Sequence, residues 1–168
     1  MKKIPSAGPW ITEKEVKYVM DACKFGWYEK FSQYLNKFED AFASYIGVKH
    51  ALATSSGTGA LHIAMKALGI GKGDEVIVPE STWIATATCV SYVGATPVFA
   101  DIEADTWCIS PDDIKNKITK NTKTIIPVHM YGHPADMFAI NKIATEYGLD
   151  VIEDAAPGIG SKIGNKLT

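Results

Sequence analysis

The run Thr54-Ser55-Ser56-Gly57-Thr58-Gly59 consists only of hydroxyl residues and glycines, and it joins two apolar segments. Ala51–Thr54 before it reads as a short buried strand. Ala60–Leu68 after it has helical spacing, with Leu61, Ala64, Met65 and Leu68 on one face. A strand–loop–helix junction of this kind directs free backbone N–H groups, and the positive end of the helix dipole, at whatever lies over the helix start. An anion fits there, most often a phosphate. Gly57 and Gly59 remove Cβ atoms that would block close approach, and Ser55, Ser56 and Thr58 add hydroxyl donors. The same residues would also serve as an ordinary helix cap. No GK[ST] closes the loop and no GxGxxG follows the strand, so the two best-known phosphate loops are excluded. Gly69-Ile70-Gly71-Lys72-Gly73 reads as a helix stop and turn.

Three further groups carry candidate chemistry. Val151-Ile152-Glu153-Asp154 ends a strand in two carboxylates, and alternation along a strand sends them to opposite faces. Asp154 beside an anion loop would suit a cationic ring nitrogen, or it would simply accept the N–H groups of the following turn. Trp83, placed in the first turn of a helix expected over Thr82–Tyr92, would stack on a flat ligand or pack in the core. His129 and His133 lie in a turn-like Gly-His-Pro context with no third ligand, so no metal site is expected.

The elements that must hold these residues form a regular series. Residues 1–50 read as an irregular lead at Ser6–Pro9 followed by two helices. The first is capped by Thr12 with Glu15, carries an apolar stripe of Val16, Val19, Met20 and Cys23, and ends at Gly26. Trp27-Tyr28 opens an aromatic loop. The second helix spans Gln33–Tyr45, with Leu35, Phe38, Phe42 and Tyr45 inward and Gly47 as the stop. From residue 51 onward, strand-like runs at Ala51–Thr54, Glu75–Val78, Pro97–Asp101, Thr124–Val128 and Leu149–Glu153 alternate with helices. The helices are expected at Ala60–Leu68, Thr82–Tyr92, Asp112–Ile118 and Ala135–Tyr147. Such alternation implies βαβ units and a mostly parallel sheet in a three-layer αβα fold, with ligands beyond the carboxyl ends of the strands.

The chain has 168 residues, of which 46% are hydrophobic, enough for a real core. A net charge of −2 without long like-charge runs points to neither a nucleic-acid nor a membrane partner. Three scattered cysteines without a CxxC suggest thiols in a reducing, cytoplasmic setting, and no signal sequence is read at the start.

These motifs, in this order, resemble the DegT/DnrJ/EryC1/StrS family of PLP-dependent sugar aminotransferases. The resemblance is carried by Ser55–His62, Gly73–Pro79, Thr82–Ala87, Gly94–Phe99, Pro127–Gly132 and Ile152–Ala156, and it covers essentially the whole chain. Similarity is greatest to the perosamine-synthase-like branch acting on nucleotide-linked 4-keto sugars. The resemblance implies the large domain of the aspartate-aminotransferase fold (fold type I), with pyridoxal 5'-phosphate as cofactor. Gly57, Thr58 and Gly59 would hold its phosphate, Trp83 would stack on its ring and Asp154 would pair with the ring nitrogen. It further implies an amino-acid donor, glutamate by family, a homodimer and a role in polysaccharide or O-antigen synthesis.

Two departures stand out. Pro157 and Gly158 occupy positions where the family usually has Gln, His or Glu, then Ala. Lys162 and Lys166 do not match the family's Schiff-base lysine. They fall in a hairpin expected over Gly160–Leu167, and the family's lysine is expected past Thr168. The expected organisation is therefore an N-terminal helical segment at 1–50 and an incomplete cofactor-binding domain at 51–168, without the C-terminal small domain. Such a portion would be inactive alone, so its catalytic residue is left unassigned. Alternative readings are a non-catalytic product binding a phosphorylated ligand weakly, or a PLP/PMP-dependent sugar dehydratase of the same family.

Overall fold

The computed structural model describes residues 8–168, so the lead expected over Ser6–Pro9 lies outside the described residues at Ser6 and Ala7. Two compact units are present, one running up to Ala53 and the other from Thr54 to Thr168.

The first unit carries helices α1 (Glu13–Phe25) and α2 (Gln33–Ile46), with a single 3₁₀ turn at Tyr28–Lys30 between them. Thr12 and Glu15 form the expected capping box, which satisfies N–H groups that the helix start leaves unpaired. The Thr12 hydroxyl, followed by its backbone N–H, holds the Glu15 carboxyl below its ordinary range. Tyr34 Oη donates to Asp21 Oδ2 at 2.6 Å and so ties α2 to α1. Gly47 ends α2 in the left-handed conformation that its missing Cβ permits. The expected inward stripes are not buried. Val16, Val19, Met20 and Cys23 of α1, and Leu35, Phe38 and Tyr45 of α2, are exposed. Amphipathic spacing records a face that favours burial and carries no information on what covers it. Two helices alone can cover only the line along which they touch.

The expected strand at Ala51–Thr54 is also absent. Leu52 is exposed, and the Ala53 N–H donates to Glu39 Oε1 at 2.8 Å instead of entering a ladder. An extended run becomes a strand only when a neighbouring backbone supplies partners, and this run has no ladder partner among the described residues.

The second unit is a three-layer αβα sandwich. Its sheet comprises β1 (Glu75–Pro79), β2 (Thr96–Ala100), β3 (Thr122–Ile125) and β4 (Asp150–Val151), all parallel in the order β2-β1-β3-β4. Helices α3 (Gly57–Ala67) and α4 (Ala85–Tyr92) lie on one face, while α5 (Pro111–Lys117) and α6 (Met137–Tyr147) lie on the other. Alternation along the strands divides the core accordingly. Val76, Val78 and Ile126 pack with Leu61, Met65, Cys89 and Val90. Ile77 and Ile125 pack with Ile114, Ile140 and Ile143. A parallel sheet covered on both faces needs apolar residues at successive positions, and Val76-Ile77-Val78 supplies them, each fully buried. Strands β5 (Lys162–Ile163) and β6 (Lys166–Leu167) form the expected antiparallel hairpin, turning through Gly164 at φ 61°.

The β3 and β4 backbones remain joined beyond their regular ends. Ile152 N–H donates to Ile125 O (3.1 Å), Asp154 N–H to Pro127 O (2.9 Å) and His129 N–H to Asp154 O (3.2 Å). At this junction the His129 ring is fully buried. Ala135 N–H donates to its Nδ1 at 3.2 Å, which leaves Nε2–H to donate to Glu153 Oε2, also at 3.2 Å. Gly158 packs directly on this ring, and a Cβ there would sit 2.8 Å from His129 Cβ. The turn after Asp154 thus closes this tightly only with glycine at position 158. Gly158→Ala should lower stability by about 1–3 kcal/mol through overpacking, measured as a reduced denaturation midpoint at unchanged m-value. An unshifted midpoint would mean that the turn is not tight.

Candidate active site

Four loops converge beyond the carboxyl ends of the strands. They are the start of α3, the Ser81–Ala85 connection after β1, the Val128–Tyr131 segment after β3, and the turn from Asp154 to Pro157. Together they enclose a cavity of about 770 Å³. Gly57, Thr58, Trp83 and Asp154 line it, whereas Gly59 does not.

The α3 end of the cavity is set by local capping. Ser56 is extended and caps the helix, its Oγ accepting the Gly59 N–H at 3.1 Å. The hydroxyl of Thr54 donates to Ser56 O at 2.8 Å and braces the turn. The Gly59 N–H is therefore committed within the chain, while Gly57 and Thr58 offer their N–H groups at the helix start. The sequence reading treated the cap and the anion site as alternatives. Here Ser56 provides the cap and its two neighbours border the cavity.

At the opposite end, the two acids diverge as strand alternation requires. Glu153 meets His129 on the α6 side, and Asp154 faces the cavity. Both Asp154 oxygens are held from within the chain: Thr86 Oγ1 donates to Oδ2 at 3.1 Å and Ala156 N–H donates to Oδ1 at 3.2 Å. Thr86 is itself fully buried, and its hydroxyl lies 3.4 Å from that of Thr82. Each carboxylate oxygen retains a lone pair, and among the described residues no lysine lines the cavity to occupy it. The carboxylate is thus fixed in direction and open to external donors.

Trp83 is 78% exposed, which removes the core-packing alternative. It precedes α4 instead of lying in its first turn, and its carbonyl accepts the Thr86 N–H at 3.1 Å. The broad indole therefore stands free beside the cavity. On the other side is Tyr131, 83% exposed, at φ 50° and ψ 25°. The left-handed region is strained for a residue with a bulky side chain. Ser161 Oγ holds the adjoining Gly132 carbonyl at 2.6 Å and so braces that turn.

His129 and His133, weighed earlier as metal ligands, do not meet. His129 is buried behind Glu153, and the His133 Nδ1 lies 3.0 Å from Pro134 O on an exposed turn. Among the described residues no group of three or more His, Cys, Asp or Glu side chains is arranged for a metal. Lys162 and Lys166 line cavities other than the one at Asp154. Sequence reasoning missed Thr86 and Tyr131. The first is one hydroxyl among several in Thr82–Thr88, distinguished only by its distance to a residue 68 positions later. The second carries no local signal beyond the following glycine.

Comparison with known proteins gives one account of this arrangement. The family model described as the DegT/DnrJ/EryC1/StrS aminotransferase family matches residues 9–168. The GDP-perosamine synthase of Escherichia coli O157:H7 is 47% identical over 99% of this chain and 46% of its own length. That of Vibrio cholerae is 43% identical over 97% of this chain and 44% of its own length. Among solved structures, 3-amino-5-hydroxybenzoic acid synthase superposes with a TM-score of 0.93 at 36% identity, covering 99% of this chain and 43% of that one. The PLP form of the sugar aminotransferase Spr1654 from Streptococcus pneumoniae gives 0.89 at 29% identity, covering 98% and 46%. The chain therefore spans less than half the length of the curated relatives it matches. A match over nearly every described residue and a shared parallel αβα layer structure agree with each other: the chain belongs to the DegT/DnrJ/EryC1/StrS aminotransferase family.

Proposed function

We propose that this chain forms the cofactor-binding part of a PLP-dependent aminotransferase that transfers an amino group to a nucleotide-linked 4-keto sugar. The observation that carries the reading is a single cavity with an anion-attracting helix start at one end and a braced carboxylate at the other. An exposed indole lines the same cavity. The residues suit the group in size and charge. A phosphate fits the free N–H groups of Gly57 and Thr58, and a flat ring fits against Trp83. A protonated ring nitrogen supplies a donor to which the Asp154 carboxylate is open. Bound there, pyridoxal 5'-phosphate would supply an electron sink for removing the α-proton of an amino acid. This chain's residues would do the rest: Asp154 keeps a proton at the ring nitrogen, Trp83 fixes the ring plane, and the α3 start anchors the phosphate. Gly59 contributes the backbone N–H that the Ser56 cap accepts.

The Escherichia coli and Vibrio cholerae relatives, both GDP-perosamine synthases, support a GDP-linked sugar as the acceptor class. Glutamate as donor, a homodimeric assembly, a cytoplasmic setting and a role in O-antigen or related glycan synthesis complete the proposal. In keeping with it, no helix among the described residues is long and apolar enough to cross a membrane. The absence of lysine from the cavity lining supports an amine supplied from elsewhere than Lys162 or Lys166.

Three measurements test this reading. Mixing the 168-residue chain with pyridoxal 5'-phosphate and reducing with borohydride should leave no stoichiometric adduct at a single lysine after dialysis; a fixed adduct at one lysine would show that the chain supplies its own amine. Trp83→Ala should weaken retention of the cofactor by roughly threefold to tenfold, as expected for loss of a stacking partner, whereas equal retention would remove Trp83 from the site. In the aminotransferase containing this chain, Asp154→Asn should cut turnover by about a hundredfold or more with folding intact by circular dichroism. Unchanged turnover would discard the ring-nitrogen role.

A further inference from the structure

Helix α4 touches both ends of the cavity from one face. Thr86 Oγ1 donates to Asp154 Oδ2 at 3.1 Å, and three residues later Cys89 Sγ donates to the carbonyl of Thr58 at 3.2 Å. Residues at i and i+3 lie on the same side of a helix, so one turn of α4 carries both contacts. Both side chains are fully buried, and their partners Thr58 and Asp154 are partly buried. Cys89 keeps its proton for this bond: burial first, and the Asp154 charge second, push its thiol above the ordinary range. Thr58 belongs to the first turn of α3, where the free N–H groups border the cavity. Asp154 lines the same cavity from the segment after β4, where it is bridged to Val128. No backbone ladder joins these two ends directly; α4 does.

We propose that α4 is a spacer that fixes the two ends of the cofactor site relative to each other, with Thr86 aiming the Asp154 carboxylate and Cys89 fastening the anion-binding turn at Thr58. Both are positioning residues, acting through groups that would touch the cofactor. The inference rests on the cofactor reading above and adds to it a division of labour. Thr86 governs the ring end of the site and Cys89 the phosphate end.

The test uses two probes that need no lysine, pyridoxamine 5'-phosphate and pyridoxamine, titrated by fluorescence against the same variants of the protein. Cys89→Ala should weaken binding of pyridoxamine 5'-phosphate by roughly threefold to tenfold and leave pyridoxamine unchanged. Thr86→Val should weaken both probes by the same factor, and Thr86→Ser, which keeps the hydroxyl, should restore both. If either first choice loses the wild-type circular dichroism, Cys89→Val and Thr86→Ala take its place. A general loosening of the fold would not separate the probes, so Cys89→Ala weakening both equally, or either variant changing neither, overturns the spacer. Asp154→Asn, run alongside, distinguishes the two levels of failure. If it weakens both probes while the α4 variants do not, only the spacer is lost. If wild type binds neither probe, or Asp154→Asn changes nothing, the cofactor reading fails and the spacer goes with it.

Discussion

The alternation of side chains at the end of β4 is the constraint on which the site depends. Glu153 and Asp154 are adjacent carboxylates, and both cannot be left without partners at a strand end. Glu153 is directed to the α6 side, where it accepts from the buried His129 ring, and this leaves Asp154 on the opposite side facing the cavity. The His129 ring is held in turn by the Ala135 N–H and packed under Gly158, so the two loops that flank Asp154 share one buried post. Moving the register of β4 by one residue would exchange the two acids and place the wrong carboxylate in the cavity.

Around that junction the parallel sheet supplies rigidity. Apolar residues at successive strand positions are drawn off alternately to the α3/α4 layer and the α5/α6 layer, so neither layer can slide without exposing the other's partners. The loops after β1, β3 and β4 that carry cavity residues leave the same edge of the sheet, which is the geometric consequence of parallel strands joined by helices. At the rim, Tyr131 is held in the left-handed region by a turn braced through Ser161. Among the buried side-chain polar atoms of the described residues, the Thr124 hydroxyl has no hydrogen-bond partner.

The first unit behaves differently. Its helix ends are well specified by the Thr12–Glu15 box and by Gly47, yet its apolar faces are open. Local chemistry can start and stop a helix, because caps act through hydrogen bonds within a few residues. It cannot bury a stripe, because burial needs a second surface of matching extent.

The amino-acid sequence by itself determined the αβα class, the boundaries of most helices, the hairpin near its end, and the gathering of the 54–59 loop, Trp83 and Asp154 at one sheet edge. All of these follow from periodicity, capping and strand alternation, which are local or repeat along the chain. The tertiary structure decided the rest. It left Ala51–Thr54 without a ladder, freed Trp83 from the core, committed the Gly59 N–H to Ser56, and buried His129 as a post behind Glu153. It also brought Thr86 to Asp154 across 68 residues of chain. Each of these turns on which partner a polar group finds in space, and a hydrogen bond between distant residues leaves no spacing in the sequence from which it could be read.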